Sequence, residues 1–157
     1  MKRKTAYLGL FAAVAIIFGY VESLVPVFTG IPGIKLAVLF ILDRYSFKEA
    51  ALVSVVRILV IGFMFGNLFS ILYSLAGAAL SLTVMDLLKK HSDFSLIGIS
   101  VAGGVTHNIG QLIVAMIVVS NTSLMIYAPA LLVAGVLAGI LIGGLTKEVV
   151  GRLPLDL

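Results

Sequence analysis

The sequence predicts an all-α integral membrane protein, with a single transmembrane domain over residues 1–157. Hydrophobic residues make up 61% of the chain and charged residues 11%, and the mean hydropathy is +1.22. These values lie outside the range of soluble domains. Long apolar runs also follow one another with only short polar stretches between them, which leaves no room for a soluble domain. The pI near 9.5 therefore reflects loop charges at a membrane surface, and nucleic acid is excluded as a partner.

Six transmembrane helices account for the apolar runs, at about 20 residues per crossing. The predicted helices cover residues 5–23, 33–42, 48–65, 68–88, 95–119 and 124–147. The first begins like a signal peptide but lacks a clean small-residue cleavage site, so we interpret it as a retained helix. The second, at roughly 10 residues, is too short to span alone. It either continues past Leu42 or is partly re-entrant.

The distribution of positive charge predicts the orientation of the bundle. If the N-terminus, residues 43–49, residues 89–94 and the C-terminus share one side, that side collects most of the basic residues: Lys2, Arg3, Lys4, Arg44, Lys48, Lys89, Lys90, Lys147 and Arg152. Only Lys35 remains on the other side, with Arg57 inside the membrane. The positive-inside rule then predicts a cell-membrane protein with an even number of spans and both termini cytoplasmic.

Small residues recur at intervals that let helices approach closely. They form faces in helix three (Gly62, Gly66), helix four (Ser70, Ser74, Gly77, Ser81) and helix six (Gly135, Gly139, Gly143). We interpret these faces as packing surfaces within the bundle. Helix one has two such pairs, Gly9 with Ala13 and Ala15 with Gly19. Its face at the cytoplasmic end either packs within the chain or docks a separate membrane subunit.

The run from Gly103 to Gln111 places an imidazole and two carboxamides within an apolar span. At helical spacing the polar and small residues form one stripe: Ser100, Gly104, His107, Asn108, Gln111 and Ala115. One interpretation is that the stripe joins helix five to its neighbours by interhelical hydrogen bonds. We favour the other, in which His107, Asn108 and Gln111 face an externally accessible chamber that holds a solute.

Arg57 lies near the middle of helix three, too far from either surface for easy snorkelling. The acidic residues Asp43, Glu49, Asp86 and Glu22 fall near helix ends. Arg57 is therefore expected to bind carbonyl groups, the carboxamides of helix five, water or an anionic ligand. It is either a structural clamp or a contact for a carboxylate or phosphate.

The segment 25–35 contains two prolines and two glycines yet stays apolar, so it is expected to lie against the mouth of the bundle. It forms either a lid, with Pro26, Phe28, Pro32 and Gly33 as its candidate residues, or a rigid re-entrant connection.

Missing motifs narrow the function. The sequence has no phosphate-binding loop for ATP, no H-E-x-x-H zinc motif and no pair of carboxylates within a span. We therefore expect no catalysis, metal or cofactor, and active transport would need a gradient or another subunit. An intramembrane enzyme is disfavoured because His107 has no evident acid or nucleophile partner, although Ser70, Ser74 and Ser81 are nucleophile candidates.

Three parts of the sequence resemble the Gx transporter family, also labelled heptaprenyl diphosphate synthase component I. They are Gly30-Ile31-Pro32-Gly33-Ile34-Lys35-Leu36, Arg57 in helix three, and GGVTHNIGQ at 103–111. That family is similar in turn to the substrate-binding S components of energy-coupling factor (ECF) transporters. After the Pro-Gly turn the family pattern is Lys-Leu-Gly-Leu-Ala-Asn, whereas this chain has Lys35-Leu36-Ala37-Val38-Leu39-Phe40. The role of the family's Asn therefore does not carry over.

The resemblance implies a six-helix, vitamin-capturing subunit that binds a small molecule near the outer surface, under the loop between helices one and two. It also implies a membrane coupling subunit and two ATPases as partners, docked on small residues of helix one. Gly9 and Ala13 occupy a comparable place here, without the Ala-x-x-x-Ala form.

The leading hypothesis is substrate capture for membrane transport. Its candidate substrate-binding residues are His107, Asn108, Gln111, Arg57, Gly104, Ser74 and Lys35. The alternative is a noncatalytic membrane partner of a polyprenyl diphosphate synthase. Apolar walls with a few amides suit a flavin, another vitamin or an isoprenoid-linked compound about equally well.

Overall fold

The computed structural model describes residues 2–24 and 32–152 and places no β-strand in these two ranges. The helices are α1 (Lys2–Leu24), α2 (Pro32–Arg44), α3 (Phe47–Phe65), α4 (Leu68–His91), α5 (Leu96–Val119) and α6 (Ala128–Arg152), and a 3-10 helix (Thr122–Tyr127) precedes α6. The predicted all-α class is confirmed. Most of the predicted helices lie within a few residues of the observed ones, and the largest differences are at the two ends of α6.

Helix six was predicted from residue 124, but a 3-10 helix occupies this stretch and regular α-helix begins at Ala128. Asn121 caps the 3-10 helix, because its side-chain oxygen accepts a hydrogen bond of 2.9 Å from the Ser123 backbone. Pro129 then falls in the first turn of α6, where its missing N–H has no intrahelical partner to lose. Hydropathy alone does not distinguish the two helix types.

Within the described ranges, three helical segments are long and apolar enough to cross a membrane: Leu68–His91, Leu96–Val119 and Thr122–Arg152. A shorter apolar stretch, Thr5–Ile17, lies in α1. These segments support the prediction of a membrane protein. The count of six crossings and the side on which the termini lie stay predictions.

Short helix α2 is enclosed by the rest of the bundle. It packs against α1, α3 and α6. Each of the helices α3, α4 and α5 packs against the next helix along the chain. Five of its residues are no more than 2% exposed: Ala37, Leu39, Phe40, Ile41 and Leu42. With 13 residues α2 is about 18 Å long, which is shorter than the hydrocarbon layer. It continues past Leu42 to Arg44, as one of the two interpretations of the sequence expected.

Helices α4, α5 and α6 pack closely through glycines. On α6, a Cβ added to Gly139 would lie 2.5 Å from the Cα of Val101, and one added to Gly143 would lie 2.7 Å from the Cα of Ile97. The predicted small-residue face of α6 is thus a packing surface against α5. Between α4 and α5, the buried Ser81 hydroxyl donates a 2.8 Å hydrogen bond to the carbonyl of Gly103.

At one end of the bundle, basic side chains bind carbonyl groups at the carboxyl ends of helices, and we call this end the basic end. The Lys89 ammonium donates hydrogen bonds of 2.6 Å to the carbonyls of both Leu42 and Asp43 at the end of α2. The Arg44 guanidinium donates one of 2.9 Å to the carbonyl of Val150 in α6. Positive side chains at helix carboxyl ends satisfy unpaired carbonyls and interact favourably with the helix dipole. These contacts bring three segments that were predicted to be cytoplasmic to the same end.

Candidate functional site

A cavity of about 40 Å³, the central cavity, lies between α2, α3, α4 and α5. Its lining residues are Lys35, Val38, Ser54, Arg57, Ala78, Ser81, Leu82, Met85 and His107. Three of them are ionisable, and each comes from a different helix. The structure therefore brings together three predicted site residues that are far apart in the sequence: Lys35, Arg57 and His107.

These three residues share one depth in the bundle. At about 1.5 Å per residue, each lies about 14 to 17 Å from the basic end, close to the middle of a 30 Å hydrocarbon layer. For Lys35 this depth follows from the shortness of α2, which ends at Arg44 near the basic end. The sequence predicts that Lys35 lies in helix two and on the outer side. The structure places it on α2, where it lines the same cavity as Arg57.

The chemistry of the central cavity suits an anion. Lys35 and Arg57 are half-buried, His107 is 8% exposed, and the hydroxyl residues Ser54 and Ser81 are buried. A guanidinium and an ammonium on one cavity favour a carboxylate or phosphate, and low solvent exposure strengthens the attraction. The described residues that line the cavity include no aspartate or glutamate.

The residues of the polar stripe of α5 face different parts of the bundle. His107 lines the central cavity, whereas the Asn108 amide donates a 2.7 Å hydrogen bond to the carbonyl of Leu131 in α6. The Gln111 side chain lies against α4, where a Cβ added to Gly77 would be 2.9 Å from its Cγ. Asn108 thus makes the interhelical bond that the packing interpretation describes. Ligand roles for Asn108 and Gln111 stay predictions.

Gly104, another candidate, lies directly against the backbone of Gly135. This contact belongs to the α5–α6 packing surface, and a ligand role for Gly104 also stays a prediction.

A second space, which we call the α3/α4 groove, has a volume of about 210 Å³. Its lining residues are Arg57, Ile58, Ile61, Gly62, Phe65, Gly66, Ser70 and Ser74. It extends from Arg57 toward the end of the bundle opposite the basic end. The candidate residue Ser74 lines this groove, while Arg57 lines both the groove and the central cavity.

The predicted lid falls partly outside the described residues. Pro26 and Phe28 lie there, so their lid role stays a prediction. Pro32 and Gly33 lie in the first turn of α2, where proline is well tolerated. The last four residues of the predicted segment 25–35 therefore belong to α2.

The small-residue pairs of α1 lie on different faces. Ala15 and Gly19 are buried in the bundle, whereas Gly9 and Ala13 are exposed. A Cβ added to Gly9 meets no heavy atom of the described residues within 4 Å. Close packing within the described part of the chain therefore does not account for Gly9.

Sequence reasoning missed Ser54, which is 3% exposed and lines the central cavity. The available signal was its position three residues before Arg57, since this spacing places both on one helical face. Across the described residues, no group of three or more histidine, aspartate or glutamate side chains is placed to share a metal ion.

Comparison with known proteins gives one family. The family model described as heptaprenyl diphosphate synthase component I matches residues 11–149, which include every residue that lines the central cavity and the α3/α4 groove. No curated protein and no solved structure matches the chain. Because the match covers most of its length, the chain belongs to the heptaprenyl diphosphate synthase component I family.

Proposed function

We propose that this chain is the substrate-binding membrane subunit of an ECF-type uptake transporter for a small, vitamin-like molecule. It lies in the cell membrane with six crossings and both termini in the cytoplasm, and it has no catalytic role of its own. The observation that carries the proposal is the convergence of Lys35, Arg57 and His107 on one cavity at mid-depth.

Charge at this depth is costly for a purely structural bundle. A lysine or arginine at the centre of a span costs about 2.5 to 3.5 kcal/mol on insertion scales. Lys35 and Arg57 together place two such groups beside the buried His107. Intramembrane charges most often mark substrate or ion sites, and these three side chains suit the anionic part of a substrate.

Uptake against a gradient requires an energy source, which the proposal assigns to a membrane coupling subunit with ATPases. The exposed face of Gly9 and Ala13 on α1 suits such a partner, because small residues let two helices approach closely. Gly9→Leu should therefore abolish co-purification of the coupling subunit without unfolding the chain. Gly144→Leu is the control, since a Cβ at this site on α6 also meets no described heavy atom within 4 Å.

A second function is favoured by the name of the family: a noncatalytic membrane partner of a polyprenyl diphosphate synthase. In that case a soluble prenyl synthase should co-purify with the chain, and deletion of the chain should shorten the prenyl products. Under the leading proposal neither effect occurs, so one co-purification experiment separates the two functions.

Native mass spectrometry of the gently extracted protein tests substrate capture. The wild-type chain should retain a small molecule, and Arg57→Gln and His107→Ala should each release it. Arg152→Gln and His91→Ala make the same changes at exposed positions of the basic end and should leave it bound. The proposal fails if two results are found together. In the first, the wild-type chain retains no small molecule. In the second, cells that lack the chain take up the same compounds from their medium as cells that contain it.

A further inference from the structure

Arg57 is the residue shared by the central cavity and the α3/α4 groove. On one side of it lie Lys35, His107 and two buried serines, which form a polar site. On the other side the groove continues toward the opposite end of the bundle between walls that are largely apolar. A ligand that fits both spaces must therefore be polar at one end and apolar along the rest of its length.

The groove walls match an apolar chain. Ile58, Ile61 and Phe65 line the α3 side, and Gly62 and Gly66 add no side chain. On the α4 side, the Ser70 hydroxyl donates a 2.7 Å hydrogen bond to the carbonyl of Asn67 as part of a helix cap. With Ser70 engaged in this way, the polar groups of the groove concentrate at Arg57 and Ser74.

The mouth of the groove adjoins an exposed apolar surface. Phe63 is 75% exposed, Leu68 65% and Phe69 53%, and all three lie at the corner where α3 meets α4. In a membrane such side chains contact acyl chains, so an apolar tail that leaves the groove at this corner enters lipid without crossing water.

The sizes of the two spaces favour an elongated ligand. Pockets that enclose a compact organic molecule usually measure about 300 to 1,000 Å³. The central cavity measures about 40 Å³ and the groove about 210 Å³, so the two together fall below that range. The cavity has room for about three water-sized atoms, which suits the terminal oxygens of one head group, and the groove accommodates part of one chain.

We infer that the ligand is a single-chain amphiphile, with an anionic head group at Arg57 and an apolar chain in the α3/α4 groove. This inference rests on the proposed function and specifies its substrate class. It places the ligand at a lateral entrance between α3 and α4.

Binding of three probes to the full-length protein in lipid nanodiscs tests the inference. Decyl phosphate carries both parts of the inferred ligand, whereas decanol lacks the charge and inorganic phosphate lacks the chain. Decyl phosphate should bind with a Kd at least tenfold lower than either of the others. Dioctanoyl phosphatidate, which has two chains on one phosphate, should bind more weakly than decyl phosphate.

Two groove variants and one control locate the binding. Ser74→Phe fills the groove from α4 and Ile61→Phe narrows it from α3, so each should raise the Kd of decyl phosphate at least tenfold. Ala79→Phe puts the same side chain on the exposed face of α4 and should leave the Kd unchanged. The melting temperature without probe identifies the variants that remain folded, and either groove variant suffices for the test.

Three results would overturn the inference. The first is that inorganic phosphate or the two-chain lipid binds as tightly as decyl phosphate. The others are groove variants that fold and bind decyl phosphate normally, and a retained natural ligand that is wholly water-soluble. The proposed function survives each of them, because a soluble anion in the central cavity is still a captured substrate. It fails separately if the wild-type chain retains no small molecule and does not alter uptake.

Discussion

Gly104 of α5 and Gly135 of α6 lie backbone against backbone. A Cβ added to Gly135 would be 2.9 Å from the carbonyl carbon of Gly104, and one added to Gly104 would overlap the carbonyl oxygen of Gly135. Neither obstacle is a flexible side chain that can turn aside. The crossing of α5 and α6 therefore depends on the absence of side chains at both positions.

Gly135→Ala is accordingly expected to destabilise the protein by about 1 to 3 kcal/mol, the usual cost of overpacking a tight contact. The measurement is thermal or denaturant unfolding in mild detergent. Gly144→Ala is the matched control on the same helix, because its added Cβ meets no described heavy atom within 4 Å. The control should be neutral or slightly stabilising, since alanine favours the helix. Equal effects of the two substitutions would contradict the close contact.

Asn108 provides a test between packing and ligand binding within the α5 stripe. Its amide donates to the carbonyl of Leu131, and hydrogen bonds between membrane helices contribute about 0.6 kcal/mol on average. Asn108→Leu removes the donor at similar volume, so it should lower stability by about that amount and leave ligand retention intact. His107→Ala should instead release the ligand. Loss of the ligand from Asn108→Leu, measured by native mass spectrometry, would assign Asn108 to the binding site.

These two residues also show how far the sequence predicts the site. Helical periodicity places His107 and Asn108 in one polar stripe, but adjacent residues point about 100° apart around a helix axis. Which of them faces the cavity depends on the rotation of α5 against α4 and α6. That rotation is determined by glycine contacts between helices, and no local pattern specifies it.

Lys35 shows that sequence patterns also fail to predict how deep a residue lies in the bundle. Hydropathy predicts a short second helix and places its lysine near the outer surface, as it does for a helix that begins at the interface. Because α2 has only 13 residues and packs against α1, α3 and α6, its lysine lies near mid-depth and lines a cavity between helices. The fold class and most helix bounds follow from local patterns, whereas the meeting of Lys35 with Arg57 follows from tertiary packing.

Lys89 should contribute to stability through the end of α2. Its ammonium donates to the carbonyls of Leu42 and Asp43, which have no partner within their own helix. Lys89→Met should therefore destabilise the protein by about 1 kcal/mol, as expected for a partly exposed, charge-assisted contact at a helix carboxyl end.

Lys90→Met is the control for this substitution. The Lys90 ammonium lies 2.6 Å from the Asp86 carboxylate, in an ion pair that leaves the lysine 60% exposed. Exposed pairs contribute about 0 to 1 kcal/mol and are screened by salt. The two variants should differ most at high salt, where the Lys90 effect vanishes and part of the Lys89 effect persists. If the Lys89→Met and Lys90→Met proteins gave identical unfolding curves at low and at high salt, the role of Lys89 would be ruled out.

The orientation of the bundle is accessible to chemical labelling, because the sequence contains no cysteine to give background. Asp93→Cys and Arg152→Cys introduce exposed thiols at the basic end, and Ser123→Cys introduces one in the 3-10 helix beyond the far end of α5. With the basic end cytoplasmic, a membrane-impermeant maleimide should label only the Ser123→Cys protein in intact cells. Permeabilised cells should show labelling of all three. Labelling of the Asp93→Cys protein in intact cells would reverse the orientation, and the α3/α4 groove would then extend from Arg57 toward the cytoplasmic side.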